Sequence, residues 1–169
     1  MMTENHQSTR PVVAPIELRS QVEDLYNCYA EAIDDGPLEL WPEFFTDPCS
    51  YRAVSRENWE RRLPLSTMSC ESRGMLEDRV VSIREAQVYA PRRFRHLISC
   101  IRIAEIDGET ISTRANFAVL QSMPSEFCQI LVCGEYRDTV IRIDGQLKFR
   151  EKVCVFDSNL IPNSLVFPV

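Results

Sequence analysis

The stretch that decides the fold is Phe94–Asp157, which reads FRHLISCIRIAEIDGETISTRANFAVLQSMPSEFCQILVCGEYRDTVIRIDGQLKFREKVCVFD. It contains two Asp-Gly pairs, Asp107-Gly108 and Asp144-Gly145, each flanked by runs in which apolar and polar residues alternate. Asp-Gly favours two-residue hairpin loops, because both of its residues tolerate a positive φ. The stretch therefore predicts two consecutive β-hairpins.

The first hairpin is predicted to pair Phe94–Ile106 with Glu109–Gln121. Counting outward from its turn sets three apolar pairs on one face of the hairpin: Ile98 with Phe117, Cys100 with Ala115, and Ala104 with Ile111. A face of this kind is apolar enough to cover a core.

The second hairpin is predicted to pair Ile130–Ile143 with Gln146–Phe156, which completes a four-stranded antiparallel meander with one buried face. The same count sets Tyr136 opposite Val153, with Lys148, Arg150 and Lys152 alternating with the apolar residues. It also sets Asp138 opposite Glu151, and two like charges in facing positions repel each other. Either a β-bulge shifts the register or a cation from elsewhere lies between them. A bulge is favoured, because long curved strands commonly carry one.

The chain before the hairpins reads as helices with one strand among them. From Ile16 to Ile33 the apolar residues recur at steps of three and four, which predicts an amphipathic helix. Further segments follow in this order: a short helix over Leu38–Phe45, a turn over Thr46–Pro48, a strand over Cys49–Ser55, an irregular segment over Arg56–Pro64, a strand or loop over Leu65–Ser72, and a helix over Gly74–Ala86. Residues 1–15 are predicted to form a flexible N-terminal arm and residues 16–169 a single domain.

Composition excludes several classes of protein. A chain of 169 residues buries enough surface to fold as one domain without a disulfide or a metal. The net charge of −6 argues against a nucleic-acid-binding protein. No apolar run is long enough for a membrane span, and the N-terminus lacks the apolar core of a signal peptide, which predicts a cytoplasmic protein. The seven cysteines form no Cys-x-x-Cys pair, so we expect buried thiols in place of a zinc site.

The chain contains two histidines, His6 and His96. His96 is the sole candidate for a general base, although a lone histidine on an apolar face is more often a hydrogen-bonded core residue. A Rieske cluster needs two Cys and two His ligands, and a mononuclear iron of the facial-triad kind needs two His and a carboxylate. Two histidines cannot supply both sets, so this chain cannot by itself be an iron oxygenase of that type.

Three stretches resemble the small (beta) subunits of Rieske-type aromatic-ring-hydroxylating dioxygenases. They are Glu43–Tyr51, then Gly74–Val80 leading to Arg93–His96, and then Phe149–Ser158. The resemblance spans Ile16–Val169, and within the family it is strongest to the members that act on terephthalate.

This resemblance implies an α+β fold of the NTF2-like type, a cone in which three N-terminal helices pack on a strongly curved antiparallel sheet. It implies a non-catalytic structural subunit without a cofactor of its own. Its partner would be a catalytic alpha subunit that carries the Rieske 2Fe-2S cluster and a mononuclear Fe(II). The expected assembly is a hexamer of three alpha and three beta subunits, with beta-beta contacts, a reductase component that acts indirectly, and terephthalate or a related aromatic acid as substrate.

Basic residues and an uncharged apolar segment are the candidates for the subunit contacts, because a monomer would leave both exposed. The residues expected there are Arg79, Arg92, Arg93, Arg95, Leu165 and Phe167. The apolar segment Leu160–Val169 is expected either to pack against its own sheet or to lie in an interface.

Two other functions are compatible with the same cone-shaped fold. In one, His96 with an acid such as Asp78 or Tyr51 would serve as the base of a stand-alone isomerase or dehydratase. In the other, the cavity would bind a small ligand without chemistry. An open pocket with His96 facing a carboxylate would favour an enzyme, whereas a cone filled with side chains would favour the structural subunit.

Overall fold

The structure is a computed structural model that describes residues 12–86, 91–158 and 165–169. Its helices are α1 (Ile16–Asp34), a 3-10 helix (Leu38–Phe44), α2 (Arg56–Glu60) and α3 (Arg73–Val81), which continues into a π-helical turn (Ser82–Ala86). The predicted helices are confirmed, with the second one in 3-10 form. The segment predicted to be irregular contains α2, whose first turn is capped by the Ser55 hydroxyl.

Six strands form one sheet in the order β2-β1-β6-β5-β4-β3. They are β1 (Phe45–Ser55), β2 (Met68–Cys70), β3 (Arg93–Asp107), β4 (Thr110–Ser122), β5 (Gln129–Ile143) and β6 (Gln146–Phe156). The predicted antiparallel meander is confirmed as β3 to β6. Thr46–Pro48, predicted as a turn, instead lies within β1, which pairs with β6 in parallel orientation.

The first hairpin follows the predicted register only in the half that is remote from its turn. Ile98 lies opposite Phe117 as predicted, but two irregularities, at residues 99–102 and 103–105, insert extra residues into β3. Near the turn, Ile111 therefore lies opposite Ile106. The predictions for the other two pairs are wrong: Cys100 with Ala115, and Ala104 with Ile111. Cys100 itself has a φ of 53°, and its side chain is exposed.

The two hairpin turns differ in the position of their glycine. In the second turn Asp144 and Gly145 both have positive φ, at 50° and 82°, as predicted for an Asp-Gly loop. In the first hairpin Asp107 still belongs to β3, and the two loop residues are Gly108 and Glu109. The prediction for that turn is therefore wrong by one residue. Gly108, with a φ of 57°, supplies the only left-handed residue of this loop.

The bulge predicted in the second hairpin is present between β5 and β6. The register shifts after Thr139, so Asp138 lies opposite Lys152 and not opposite Glu151. The same shift sets Tyr136 opposite Cys154, and it turns the Lys152 side chain into the core. The predicted pair Tyr136–Val153 is therefore wrong, and the bulge breaks the predicted regular alternation of Lys152 with the apolar residues.

Helix α1 packs against β3, and the concave face of the sheet closes over it. Each of the four longest strand pairings contains a shift in register, and such bulges bend a sheet. The interior is filled by large side chains with no exposed surface: Tyr26, Tyr29, Trp41, Phe45, Tyr51, Tyr136 and Phe149. On the outer face, Val54, Val153 and Val155 pack with Trp59.

Residues 12–15, predicted as the end of a flexible arm, lie against this core. Ala14 is buried, and Val12 packs on the main cluster. The core packing thus begins before the predicted domain boundary at residue 16. Residues 1–11 of the predicted arm lie outside the described residues.

Replacing Gly134 with alanine is expected to destabilise the fold by about 1–3 kcal/mol, the usual cost of overpacking. A Cβ at this position in β5 would lie 2.0 Å from the backbone oxygen of Val155, which belongs to the neighbouring strand. Urea denaturation measures the change. Gly74→Ala is the matched control, because its Cβ would lie 3.9 Å from the nearest atom. Equal urea midpoints for the wild-type chain and Gly134→Ala would contradict the close approach.

Candidate functional site

A buried ion pair lies at the centre of the cone. The Lys152 Nζ is 2.9 Å from the Asp138 Oδ2, and neither side chain has any exposed surface. The carboxylate also accepts hydrogen bonds from the Tyr26 hydroxyl at 2.7 Å and the Val153 backbone N–H at 3.1 Å. Burial raises the pKa of the Asp138 carboxyl above its ordinary value, although these three donors oppose the effect. The carboxylate thus accepts three hydrogen bonds, whereas the ammonium donates one, to Asp138, and both groups are strongly desolvated.

Four aromatic rings enclose the Lys152 ammonium. Its Nζ lies 3.5 Å from the ring centroid of Tyr136, 4.5 Å from that of Phe149, 4.6 Å from that of Tyr29 and 4.8 Å from that of Tyr26. A cation over an aromatic face is attracted by the ring quadrupole, and more strongly when it is desolvated. The cage therefore stabilises the buried charge and leaves no room beside it.

His96 lies in β3 and faces the last residue of α1. Its Nδ1 is 2.6 Å from the Asp34 Oδ1, and its backbone N–H donates to the Asp34 Oδ2 at 2.7 Å. Burial raises the pKa of the Asp34 carboxyl, but the hydrogen bonds and charge of His96, with help from Arg95, hold that pKa below its ordinary value. The pair thus joins α1 to the edge strand of the sheet.

The partner of His96 differs from the two predicted ones. Asp78 is exposed on α3, and the Tyr51 hydroxyl bonds to the backbone of Val169. The prediction that either would assist His96 is wrong, because Asp34 takes that position. The His96 side chain is 1% exposed, and its Nε2 is buried without a hydrogen-bond partner among the described residues. The more common role, a hydrogen-bonded core histidine, fits this geometry.

Arg79 and Leu165, both predicted at subunit contacts, contact each other inside this chain. The Arg79 Nη2 donates to the backbone oxygens of Leu165 and Val166, at 3.2 and 2.8 Å. Leu165 is buried in the main core. Arg79 therefore fixes the segment at residues 165–169.

The other basic candidates lie at the start of β3. Arg92 donates to the Gln121 side chain at 3.2 Å, and Arg95 forms an exposed ion pair with Asp35. Arg93 is exposed, and its guanidinium makes no hydrogen bond or ion pair within the described part of the chain. Arg93 thus presents an uncompensated charge at the surface.

The described part of the apolar segment, residues 165–169, packs against the core of its own chain, which is one of the two predicted outcomes. Val169 is 1% exposed, and the half-buried Phe167 ring lies 5.0 Å from the ring of Phe94. Residues 159–164, which include the first five residues of the predicted segment, lie outside the described residues.

Within the described residues, no group of three or more His, Cys, Asp or Glu side chains could hold a metal ion. His6 lies outside these residues. All seven cysteines are free, and only Cys49, Cys70 and Cys154 are buried, so the expectation of buried thiols is wrong for the other four. No helix in the described ranges is both long and apolar enough to cross a membrane.

A protein-family comparison decides the identity of the chain. The family described as ring hydroxylating beta subunit matches residues 29–163, which is most of the chain. The chain belongs to this family. The predicted family is therefore confirmed, and the chain is the small subunit of a multisubunit aromatic-ring-hydroxylating dioxygenase.

Individual relatives of this beta subunit agree with the assignment. The small subunit of anthranilate 1,2-dioxygenase from Burkholderia cepacia is 36% identical over 146 residues, which are 86% of this chain and 90% of that protein. A beta subunit of terephthalate 1,2-dioxygenase from Comamonas sp. is 33% identical, over 83% of this chain and 92% of that protein.

A solved structure supports the fold of the beta subunit as well. A beta subunit of the aromatic-ring-hydroxylating dioxygenase type from Novosphingobium aromaticivorans is 32% identical, with a TM-score of 0.83. The match covers 90% of this chain and 97% of that one. The predicted α+β fold of the NTF2-like type is confirmed.

Replacing Lys152 with methionine is expected to lower the free energy of unfolding by about 3–5 kcal/mol, because the Asp138 carboxylate would remain buried without its counter-charge. Denaturant unfolding measures the loss. Lys148→Met, in the same strand but half-exposed, is the control and should change stability by less than about 0.5 kcal/mol. The double variant Lys152→Met/Asp138→Asn should regain part of the loss, since it removes the unpaired charge. A double variant no more stable than the single one would contradict this account.

Replacing Asp34 with asparagine is expected to destabilise the beta subunit by about 2 kcal/mol at pH 7, the usual range for hydrogen bonds to a charged group. The pKa of Asp34 is lower in the folded than in the unfolded chain. Its contribution is therefore present above about pH 4 and is lost as the pH falls through the folded pKa. Urea unfolding from pH 3 to pH 7 should show the wild-type advantage shrinking at the acid end. The exposed Asp24→Asn serves as control, and a pH-independent difference for Asp34→Asn would refute the role.

Proposed function

We propose that this beta subunit is a non-catalytic structural component that supports and stabilises the alpha subunit of the dioxygenase. An alpha subunit as partner follows from the family itself. In the proposed assembly three alpha and three beta subunits form a hexamer. The alpha subunit would hold the Rieske 2Fe-2S cluster and the mononuclear Fe(II), and would receive electrons from a reductase component. The described residues of the beta subunit do not fit either iron centre.

The filled interior of the cone is the observation that carries this proposal. A substrate pocket needs a concave space with a few convergent polar groups. Here the central position is taken by the caged Lys152–Asp138 pair, and the surrounding rings contact one another at centroid distances of 4.3 to 6.4 Å. Such a core gives a rigid support.

A stand-alone isomerase or dehydratase is the less favoured alternative. His96 does face a carboxylate, which is one half of what such an enzyme requires. A general base must also reach a proton on its substrate. The His96 ring is enclosed by the chain, and Asp34 already occupies its Nδ1. The dyad therefore fits a structural bond between α1 and β3.

The proposed contact with the alpha subunit centres on Arg93, with Arg92, Arg95 and Phe167 beside it. These residues lie at one end of β3, next to the segment that Arg79 holds in place. Arginine and aromatic residues are enriched in the cores of protein interfaces. We assign to Arg79 and Leu165 the indirect role of shaping this surface.

The proposed beta-beta contact uses exposed apolar residues of β3, of β5 and of the loop between β4 and β5. Phe127 is 97% exposed, Ile130 is 59% exposed and Leu97 is 54% exposed. Ile130 pairs with Leu120 of the neighbouring strand, which places two apolar residues side by side. Exposed apolar groups of this size are typical of interaction sites.

An aromatic acid is the proposed substrate of the whole enzyme. The relatives that match this chain are named for anthranilate and terephthalate, which are both aromatic carboxylates. Ring recognition would belong to the alpha subunit in this proposal, and the beta subunit is placed with it in the cytoplasm.

Expression of the chain alone and together with a candidate alpha subunit tests the proposal. We expect a co-purifying complex with the mass of six chains, an iron-free beta subunit after separation, and oxidation of an aromatic acid only when the alpha subunit is present. A beta subunit that stays alone in the presence of the alpha subunit would overturn the proposal.

In the same experiment, Arg93→Ser is expected to weaken assembly about tenfold or more, because an arginine buried at an interface typically contributes more than about 1.4 kcal/mol. Sedimentation velocity measures the assembled fraction. Arg150→Ser is the matched control, since Arg150 is also exposed and without a partner in the described ranges but lies on β6. Unchanged assembly of Arg93→Ser would remove Arg93 from the interface.

A further inference from the structure

A cavity of about 690 Å³ lies between the first half of α1 and the bulged part of β3. Residues 98–104 of β3, which contain the first bulge and reach into the second, form one side of it. Its lining includes neither the caged Lys152 nor the surface residue Arg93. The volume lies within the range of small-molecule binding sites. The cavity therefore has the size of a binding site and no part in the structural role described above.

Three arginines from three different elements line this cavity: Arg19 of α1, Arg102 of β3 and Arg114 of β4. The register of the first hairpin sets Arg102 directly opposite Arg114, and like charges in facing positions repel each other. The Arg102 guanidinium makes no hydrogen bond or ion pair within the described part of the chain. The Arg19 guanidinium donates to the backbone oxygen of Val12 at 3.4 Å, which uses one of its five N–H groups.

Acidic residues do not balance these three charges. Glu135 bonds to Arg137, whose Nη2 and Nε lie 3.0 and 3.2 Å from its Oε2. Arg114 is 3.8 Å from the other oxygen of Glu135, which is beyond hydrogen-bond distance. Among the described residues that line the cavity, Glu23 is the one acid. Three cationic groups thus face a single anionic group around this space.

The rest of the lining is mostly apolar. Val22 and Ile103 are buried, and Ile98, Ile101 and Ala104 also line the cavity. Apolar surface contributes nothing to the binding of an inorganic anion, whereas an organic anion gains free energy when its apolar body covers that surface. A guanidinium can donate two parallel hydrogen bonds to a carboxylate. The lining therefore matches a molecule that has both a carboxylate and an apolar body.

We propose that this cavity is a binding site for an organic carboxylate with an aromatic or alicyclic body. Arg102 and Arg114 hold the carboxylate between them, and Arg19 approaches it from α1. The apolar lining covers the body of the ligand, and the bound charge relieves the repulsion between the two facing arginines. This inference goes beyond the structural role proposed above, and its test needs no alpha subunit.

Isothermal titration calorimetry of the full-length chain tests the site with three probes: 2-naphthoate, 2-naphthamide and inorganic phosphate. The first carries both the charge and the apolar body, the second keeps the body without the charge, and the third has the charge alone. We expect 2-naphthoate to bind saturably at a single site per chain. The other two should bind at least about tenfold more weakly, because each lacks one of the two interactions.

Replacing Arg102 with methionine is expected to weaken 2-naphthoate binding about tenfold, because the variant keeps an apolar side chain but loses charge-assisted donors. Binding of 2-naphthamide should not change. Arg150→Met is the matched control, since Arg150 is exposed on β6 and does not line the cavity. Without ligand, the urea midpoint of Arg102→Met should equal or exceed that of the wild-type chain, because one of two facing like charges is gone. An arginine with a merely structural role would lower that midpoint.

Replacing Glu23 with glutamine is expected to act in the opposite direction. It removes the one acid of the described lining, so 2-naphthoate should bind about threefold more tightly, as expected for a partly exposed charge pair. The same variant should leave 2-naphthamide binding unchanged, because the amide carries no charge for Glu23 to repel.

Four results would overturn the proposal. The first is the absence of saturable 2-naphthoate binding. The second is equal affinity for 2-naphthoate and 2-naphthamide, since the arginines would then play no part. The third is phosphate binding as tight as that of 2-naphthoate, which would show an anion patch without apolar recognition. The last is an Arg102→Met variant that binds 2-naphthoate as tightly as the Arg150→Met control.

Discussion

The charge of Lys152 is the constraint on which the rest of this structure depends. An ammonium without solvent must have a counter-charge, and Asp138 in the neighbouring strand supplies it at 2.9 Å. The bulge between β5 and β6 makes the pairing possible, because regular alternation would turn Lys152 outward. The same bulge bends the sheet around α1, so one local irregularity serves both electrostatics and curvature.

The caged ion pair also explains why this cone suits a supporting subunit. Rings from α1, β5 and β6 enclose the ammonium at 3.5 to 4.8 Å and fill the interior around it. His96 is likewise paired with a carboxylate of its own chain, because Asp34 at the end of α1 contacts its Nδ1. Polar groups inside this chain therefore join its elements to one another, while Arg93 faces outward.

The polar groups beside Val169 follow the same pattern. The Tyr29 and Tyr51 hydroxyls and the Cys154 thiol contact Val169, which lies in a segment outside the regular structure. Such a segment is more easily displaced than a strand, because no ladder of backbone bonds holds it. Residues 165–169 thus complete the part of the core that lies beside Tyr29 and Tyr51.

The sequence by itself determined the helices and the four-stranded meander, because apolar spacing and Asp-Gly pairs act over a few residues. It also determined the family, through three stretches that resemble ring-hydroxylating beta subunits. It also revealed a conflict at Asp138, because counting residues outward from the turn sets this aspartate opposite Glu151, which carries the same charge. Only the tertiary structure decided that Lys152 resolves that conflict, that Asp34 is the partner of His96, and that Val169 meets the buried tyrosines. These contacts join residues that are far apart in the chain. Local periodicity does not show which distant residues a bulged and curved sheet brings together, because it reports only on neighbours along the chain.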